Sequence, residues 1–466
     1  MSNDPSSMRL PIEIWRSILE EMLPSERKRQ HDLTPNSSVA ALARANTFFR
    51  DLAHEYLYKY IYLGPTTFRC MLGETLALFS RTMAENESLA GLVEEIHTGT
   101  IGGEPGEAFH LLRILQSVPN LRVFELRGWA RVHISVMPIF EVLREKHHLR
   151  ALILSPNRLL GSSSPPLCDV EDLVLILHHL HDLETVSIDS FTCCSRDDGS
   201  THALYHTTSD LPSMRATISH DFASSMQRLR ERRQIIISAS PLQNWDSGLA
   251  QNTCPTIRRL TLINCLNSDY EFHMLSSLAP NLTELNAASS CTHLCDQPPT
   301  TFIAPALRVW SDQLVKLVLP EFRIKSNVIY PNNPDAQWAS RFPFSEDDTI
   351  ANIIVQMPRL RVLGIARGSI SPKHFVRGPK SLMSLNLYLP SSSLLYNPSG
   401  HILPEIVAVL RNETTLPQLR HLCLTTERGG PNTSLLEDVV NMRGIVLHDR
   451  PKQWESASQE LCGLSD

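Results

Sequence analysis

The sequence predicts an α/β protein in which a short helical segment precedes a long repeat array built around a parallel sheet. Two observations lead to this prediction. A motif of the form L-x-x-L-x-L recurs along most of the chain, and its clear copies tend to follow a helical stretch that ends at a proline or another turn residue. The first stretch of about 60 residues lacks the motif and instead carries apolar residues at helical spacing.

The N-terminal segment is predicted to open with a helix at Pro11, because a proline is tolerated in the first turn, where its missing N–H has no intrahelical partner. Ile14, Ile18 and Met22 recur every four residues with Leu19 beside them, which predicts an amphipathic helix with one apolar stripe. A second helical stretch repeats this stripe at Leu42, Ala45, Phe49, Leu52 and Ala53. So small a unit is marginal alone. We therefore expect a partner or the following domain to complete it, unless it is simply a helical cap on that domain.

The order of residues in this segment resembles the F-box. Leu10 and Pro11 match its Leu-Pro helix start, residues 41–46 match a second helix of small and apolar residues, and residues 57–63 match the passage into an aromatic-rich strand. The resemblance covers residues 8–63, and it departs from the pattern in the long insert at 23–38. It implies that a set of apolar side chains faces a Skp-family adaptor: Leu10, Pro11, Ile14, Ile18, Leu19 and Leu42.

The repeat motif defines the rest of the chain. Its clear copies are Leu121/Phe124/Leu126, Leu149/Leu152/Leu154, Leu183/Val186/Ile188, Ile257/Leu260/Leu262, Leu282/Leu285/Ala287, Leu314/Leu317/Leu319, Leu360/Leu363/Ile365, Leu382/Leu385/Leu387 and Leu419/Leu422/Leu424. Weaker copies lie at Val93/Ile96 and at Met442/Ile445/Leu447.

A unit of helix, stop and strand that recurs in this way is similar to the leucine-rich repeat, although the longer spacings exceed the usual period. Asn157 and Cys265 stand where the repeat pattern has Asn or Cys, and the resemblance implies that they serve the turn of the repeat. Successive strand residues face opposite ways, so we expect Leu152 to point into the core and Ile153 to point out of the sheet. The predicted fold is an irregular leucine-rich-repeat solenoid, with a parallel sheet on the concave side and helices on the convex side.

The domain organisation follows from these segments. We expect an F-box-like helical domain at 8–63, a connecting helical segment at 64–89, one solenoid with loop insertions at 90–450 and a C-terminal tail at 451–466. Stretches rich in Ser and Pro or otherwise polar predict the insertions, at 161–166, 193–220, 327–334 and 390–393. Residues 222–237 have room for one more helix and strand.

Composition and motifs exclude several classes of function. A net charge of −6 with mixed signs argues against a general nucleic-acid or anionic-membrane binder, and neither a membrane-length apolar run nor a secretory signal is evident. The spacing Cys291-x-His293-x-Cys295 lacks a second matching pair, so it is a weak zinc signal. The glycine cluster at 99–106 lacks the lysine and spacing of a phosphate loop, and hydrolase, metalloprotease and calcium-loop motifs are missing. We expect no catalysis, no cofactor and no metal.

An F-box-like segment ahead of leucine-rich repeats resembles the F-box/leucine-rich-repeat proteins of fungi. The resemblance implies the substrate-recognition subunit of an SCF-type ubiquitin ligase, which binds a Skp adaptor, reaches a cullin through it, and holds an unknown target protein in the cytoplasm, the nucleus or both. The basic run at 228–233 fits either a nuclear-import signal or a solvated helix face. The alternative function is a repeat-based protein-binding scaffold outside any ligase, and the repeats alone do not separate the two.

A recurrent arginine follows the first leucine of five copies, at Arg122, Arg150, Arg258, Arg361 and Arg420. Its planar donor fork suits carboxylates and phosphates, so these residues are candidates for binding an acidic or phosphorylated segment of the target. Arginines at this position also serve solubility or pair with local acids such as Glu125 and Glu184.

Overall fold

The computed structural model describes residues 11–22, 37–45, 47–63, 72–99, 101, 105–127, 137–155, 177, 179–189, 253–263, 269–287, 300–319, 349–366, 372–389, 399–426, 434–448 and 450–461. These residues fall into two compact units, one ending at Ser155 and the other beginning at Leu177.

The first unit starts with three helices, and the third runs directly into a strand. Its elements are α1 (Ile12–Met22), α2 (Ser37–Ala43), α3 (Thr47–Lys59), β1 (Tyr60–Leu63), α4 (Leu72–Glu85), α5 (Glu87–Ala90), β2 (Glu95–Thr98), α6 (Pro105–Ser117), β3 (Val123–Arg127), α7 (Met137–Leu143) and β4 (Ala151–Ser155). The stripe predicted as one second helical stretch is divided between α2 and α3, because the chain turns at Arg44 and Ala45.

The strands of the first unit form a parallel sheet in chain order, β1-β2-β3-β4. The register pairs Ile61 with Ile96, Ile96 with Phe124, and Phe124 with Leu152. Ile96, Phe124 and Leu152 are each the middle apolar residue of their motif, and all three are fully buried. The weak copy at Val93/Ile96 is therefore a genuine repeat, and β1 adds a further strand ahead of it.

The second unit continues the same alternation of strand and helix. Its elements are β5 (Thr185–Asp189), β6 (Arg259–Ile263), α8 (Asp269–Leu278), β7 (Glu284–Asn286), α9 (Thr300–Trp310), β8 (Lys316–Leu319), α10 (Thr349–Gln356), β9 (Val362–Ala366), α11 (Pro372–Phe375), β10 (Ser384–Leu389), α12 (Ser399–Arg411), β11 (His421–Thr426), α13 (Ser434–Met442), β12 (Val446–His448) and α14 (Pro451–Leu461). The strands again pair in parallel and in chain order.

The register of the second unit aligns the middle leucines of successive motifs: Leu260, Leu285, Leu317, Leu363, Leu385, Leu422 and Leu447. The last copy differs from its prediction, because Leu447 pairs with Leu422 and so takes the middle position instead of the final one. Met442, predicted to open that copy, ends α13 and is 75% exposed. The chain turns between them at Gly444, whose φ of +64° favours glycine.

Side chains in the turns before the strands tie each repeat to the preceding one. Asn120 Nδ2 donates to the carbonyl of Gly91 at 2.7 Å, and Asn281 Nδ2 donates to the carbonyl of Pro255 at 3.1 Å. The buried Lys146 donates in the same way to the carbonyl oxygen of Val118 at 2.8 Å. These bonds satisfy backbone oxygens outside the strand ladder, two of which, at Gly91 and Val118, lie at the ends of helices.

The predicted α/β repeat fold, with one parallel strand for each described motif, is confirmed. Several sequence features lie outside the described residues, namely Asn157, Cys265, the segment 222–237, the cysteine and histidine group at 291–295 and most of the insert at 23–38. The proposed domain boundaries stay predictions. The segment expected to be a C-terminal tail contains α14, a helix of 11 residues.

Candidate functional site

Helices α1, α2 and α3 form a small bundle with its own apolar core. Leu19, Val39, Leu52, Ala53 and Tyr56 are buried together. Half-buried side chains close the edges of this core: Trp15, Leu42, Ala43 and Leu57. The bundle thus encloses a compact set of apolar side chains from all three helices.

Two contacts fix α1 against α3. The ring of Trp15 meets that of Phe49 edge to face, with centroids 4.9 Å apart, and Arg16 Nη2 lies 3.2 Å from Glu55 Oε2. The ion pair is exposed on both sides and adds little stability, whereas the aromatic contact buries apolar area and sets the rotation of α1 about its axis.

That rotation decides which predicted adaptor-binding residues reach the surface. Ile14 is 46% exposed and Pro11 is also exposed, while Ile18 and Leu42 are half-buried. Leu19 is fully buried and is part of the core of the bundle. Leu10 lies outside the described residues. The exposed apolar surface also includes two residues that the sequence did not single out, Ile12 and Phe48.

The strand residues between the motif leucines form a second surface, which we call the inter-leucine face. In the first unit one row across this face contains Tyr62, His97, Glu125 and Ile153, paired in register. His97 Nδ1 lies 2.7 Å from Glu125 Oε2, and His97 Nε2 lies 3.2 Å from Glu95 Oε2. An imidazole held by two carboxylates in this way is positioned to donate from both nitrogens.

Arg127 completes this network from the same strand as Glu125. Its Nη2 donates to Glu125 Oε2 at 3.0 Å, and its Nε donates to Oε1 of the same carboxylate. Two cations and two carboxylates therefore balance, once His97 is protonated, and the face carries a neutral polar network.

The pKa values follow from these contacts. Burial opposes protonation of His97, but hydrogen bonds to Glu125 and Glu95 outweigh it and raise the pKa of His97 to about 9. Burial likewise disfavours ionised Glu125, yet its hydrogen bonds to His97 and Arg127 hold the pKa of Glu125 below its usual value. The pKa of Tyr62 is raised, chiefly by burial.

The five predicted target-binding arginines are all exposed, just before their strands. Arg122 N donates to Glu94 O at 2.7 Å, and Arg150 N donates to Arg122 O at 2.6 Å, so Arg122 and Arg150 occupy neighbouring repeats. The Arg122 guanidinium pairs with Glu94, not with the expected Glu125.

The arginines of the second unit are farther apart. The backbone N–H of Arg258 donates to the carbonyl of Glu184 in the preceding described repeat at 2.9 Å. The Arg258 Nη1 donates to the carbonyl of Asn281 at 3.0 Å. Arg361 and Arg420 belong to repeats separated by the repeat of Met383. The Met383 N–H donates to the carbonyl of Arg361, and the Met383 carbonyl accepts from the N–H of Arg420. Among the five, Arg122 and Arg150 are the pair brought together in adjacent repeats.

The inter-leucine face of the second unit has an open part and a covered part. On β5, β6 and β7 it presents half-buried polar side chains such as Ser187, Thr261 and Asn286. On β8, β9 and β11 the residues Val318, Val362 and Cys423 are buried in a cluster with Trp454 of α14. The sequence did not predict this helix on the sheet, because one tryptophan in a polar segment gives no periodic apolar stripe.

Other chemistry is sparse in the part of the chain that the structure describes. No group of three or more His, Cys, Asp or Glu in these ranges could hold a metal ion. Cys254 and Cys423 are buried cysteines in the thiol form, and burial raises the pKa of Cys254 to about 12. None of the described helices combines the length and apolar character that crossing a membrane requires.

No protein-family model matches the chain, and no curated protein matches it. Among solved structures it resembles the leucine-rich-repeat protein LegL7 from Legionella pneumophila, with 11% identity, TM-score 0.34, and coverage of 83% of this chain and 97% of that one.

Two further structures show a similar degree of likeness. The complex of Rad7 and Elc1 in yeast gives 12% identity, TM-score 0.32, and coverage of 97% of this chain and 100% of that one. The complex of TLR13 with ssRNA13 gives 16% identity, TM-score 0.30, and coverage of 66% of this chain and 30% of that one, so the present chain spans less than a third of its length. Scores this low carry no functional argument, and the repeat fold stands on the strand registers themselves.

Proposed function

We propose that this chain is the target-recognition subunit of an SCF-type ubiquitin ligase. In this role the bundle of α1, α2 and α3 docks on a Skp-family adaptor, and through it on a cullin, while the inter-leucine face holds a target protein. The chain supplies proximity and performs no bond chemistry of its own, in the cytoplasm, the nucleus or both.

The observation that carries the proposal is the exposure of Ile14 on helix α1, whose other face packs against α2 and α3. Trp15 and Leu19 hold α1 in the bundle, whereas Ile14 is 46% exposed and Ile18, one turn later on the same side of the helix, is half-buried. An apolar helix surface of this kind is suited to a hydrophobic groove on a partner. The F-box-like order of residues 8–63 supports an adaptor as that partner.

The target side of the proposal rests on the open parts of the inter-leucine face. In the first unit this surface combines the network around His97 with the neighbouring arginines Arg122 and Arg150 at its edge. A sheet face lined by polar side chains already fixed in position loses little side-chain entropy on binding, which favours recognition of a folded or extended protein segment.

Adaptor binding is the decisive test. We expect full-length wild-type protein to co-purify with a Skp adaptor, and Ile14→Asp to weaken that complex by at least about tenfold, because it buries an unpaired carboxylate in an apolar contact. The matched control is Ala84→Asp, which adds the same charge at an exposed position of α4, outside the bundle, and should leave binding unchanged.

The outcomes separate the two functional classes. Equal binding by wild type and Ile14→Asp would contradict the assigned docking surface. Failure of the folded wild-type chain to bind any Skp adaptor would instead favour a protein-binding scaffold outside the ligase, a role that the same inter-leucine face would serve. Circular dichroism of each variant confirms that the comparison concerns folded protein.

A further inference from the structure

The C-terminal helix α14 lies on the inter-leucine face of the second unit, the face that a target would otherwise contact. Its Trp454 is 1% exposed and packs with Val318 of β8, Val362 of β9 and Cys423 of β11. Backbone bonds from Gln453 and Trp454 to the carbonyl of Arg450 start the helix directly after the last strand. The chain thus places one of its own helices on its sheet.

The sheet is shaped to receive the indole. At Gly364, the residue between Val318 and Asn386 in the register, an added Cβ would lie 3.3 Å from Trp454 Cη2 and 3.1 Å from Val318 Cγ1. Glycine at this point lets the ring approach the backbone of β9 more closely than a larger residue would allow. The ring of Tyr388 forms another side of the site, 3.4 Å from the same Cβ position.

The contact is nevertheless incomplete. The Trp454 Nε1–H is buried and finds no hydrogen-bond partner among the described residues. Trp310, the other fully buried tryptophan of the described part, donates from Nε1 to the carbonyl of Ala279 at 2.8 Å. A core tryptophan ordinarily has such a partner, because leaving a buried donor unpaired is unfavourable.

Apart from Trp454, the α14 side chains that the structure describes are exposed or half-buried. Gln453, Glu455, Ser456 and Gln459 are exposed, and Ala457 and Leu461 are only half-buried. Trp454 is therefore the fully buried anchor among the described side chains of α14, and the short covalent connection to β12 adds to its hold. Such a tether gives a high effective concentration, which lets a weak contact remain closed.

We propose that α14 is a displaceable internal ligand, and that the site beneath it binds an amphipathic partner helix with one aromatic anchor. The occupant is defined by what the site already holds: a ring that fits between Val318, Gly364 and Tyr388, on a helix whose other face stays in solvent. Target binding at this site then competes with α14. This inference rests on the proposed target-binding role of the inter-leucine face and is independent of the adaptor.

The test uses the full chain and a labelled synthetic peptide of residues 450–461 as the probe, with fluorescence anisotropy as the readout. We expect Trp454→Ala protein to bind the peptide at least tenfold more tightly than wild type, because the internal anchor is gone and the site is free. Gln453→Ala, which alters an exposed neighbour, should behave as wild type. A peptide with alanine in place of the tryptophan should bind none of these proteins.

Two outcomes would overturn the proposal. One is that wild type and Trp454→Ala bind the peptide equally or not at all. The other is that Trp454→Ala unfolds the second unit as Trp310→Ala is expected to do, which would make α14 part of the core. In the wild-type chain, hydrogen exchange should also show α14 opening while β10 and β11 stay protected, and equal protection would count against displacement. Adaptor binding should not change in any of these variants, so the two proposals fail separately.

Discussion

His97 and Glu125 face each other across β2 and β3, with Nδ1 of the imidazole 2.7 Å from Oε2 of the carboxylate. Both residues lie on the face of the sheet opposite the motif leucines, which is the face proposed to bind a target. Because Glu95 and Arg127 complete the network, the charges on this face are already paired before any ligand arrives. The network therefore contributes to stability and, in the proposed function, to recognition as well.

The stability of the first unit should depend on pH through His97. Its pKa is raised from 6.5 to about 9, so the stabilisation is fully present below pH 6.5 and is lost as the pH rises through about 9. The shift corresponds to up to about 3 kcal/mol of unfolding free energy, with Glu95, Glu125, Arg127 and Tyr62 as the facing groups. The depressed pKa of Glu125 contributes stability above its unfolded pKa, which is lost in acid.

Denaturant unfolding of wild type and His97→Gln across pH 5 to about 10 checks this prediction. The difference in unfolding free energy between the two should be largest near pH 6 and should shrink toward pH 10. The control is His147→Gln at an exposed turn of the same unit. A difference that does not vary with pH would contradict the assignment.

The two faces of one strand should respond very differently to truncation. Leu152 is fully buried and pairs in register with Phe124, whereas Ile153 points to the opposite face and is half-buried. Leu152→Ala should cost about 2–5 kcal/mol, because it opens a cavity between neighbouring repeats. Ile153→Ala should cost clearly less.

Hydrogen exchange distinguishes a local from a shared effect of this cavity. The amides of β3 and β4 should both lose protection in Leu152→Ala, since each repeat is stabilised by its neighbour. Loss confined to β4 would show that the two repeats are energetically independent.

The strand positions could be predicted from sequence because the motif L-x-x-L-x-L combines a period of two with a buried face. The register of Leu447 could not, since β12 is displaced by two residues relative to the motif, after a turn in which Gly444 has a positive φ. The network of His97 and Glu125 was also missed, because the two residues meet only once the strands are paired. A signal existed in the spacing Glu95-x-His97 and Glu125-x-Arg127, which becomes visible when the two repeats are aligned.

Gly364 provides a test of how closely α14 approaches the sheet. Gly364→Ala would place a methyl group 3.3 Å from the Trp454 ring and 3.1 Å from Val318, so we expect the ring to be pushed outward at a cost of about 1–3 kcal/mol. The readouts are the denaturation midpoint and hydrogen exchange of α14. Gly91→Ala is the control, because its φ of −67° suits any residue and its nearest neighbour is at 3.4 Å. Unchanged exchange in Gly364→Ala would show that the contact is looser than the structure indicates.

The neighbouring arginines at the edge of the first unit should bind acidic segments more strongly than the separated ones of the second. Arg122 and Arg150 follow each other in adjacent repeats, about 5 Å apart along the backbone ladder, whereas Arg361 and Arg420 are separated by Met383.

A labelled poly-Glu peptide at low salt, where surface charges are least screened, is the probe. We expect the double variant Arg122→Glu with Arg150→Glu to weaken peptide binding by about tenfold, and the matched double variant Arg361→Glu with Arg420→Glu to weaken it less. Because the two variants change net charge equally, a larger loss in the first reports the local pair and not the charge of the whole chain. Equal losses would mean that the peptide senses net charge alone, and the arginine pair would then have no recognition role.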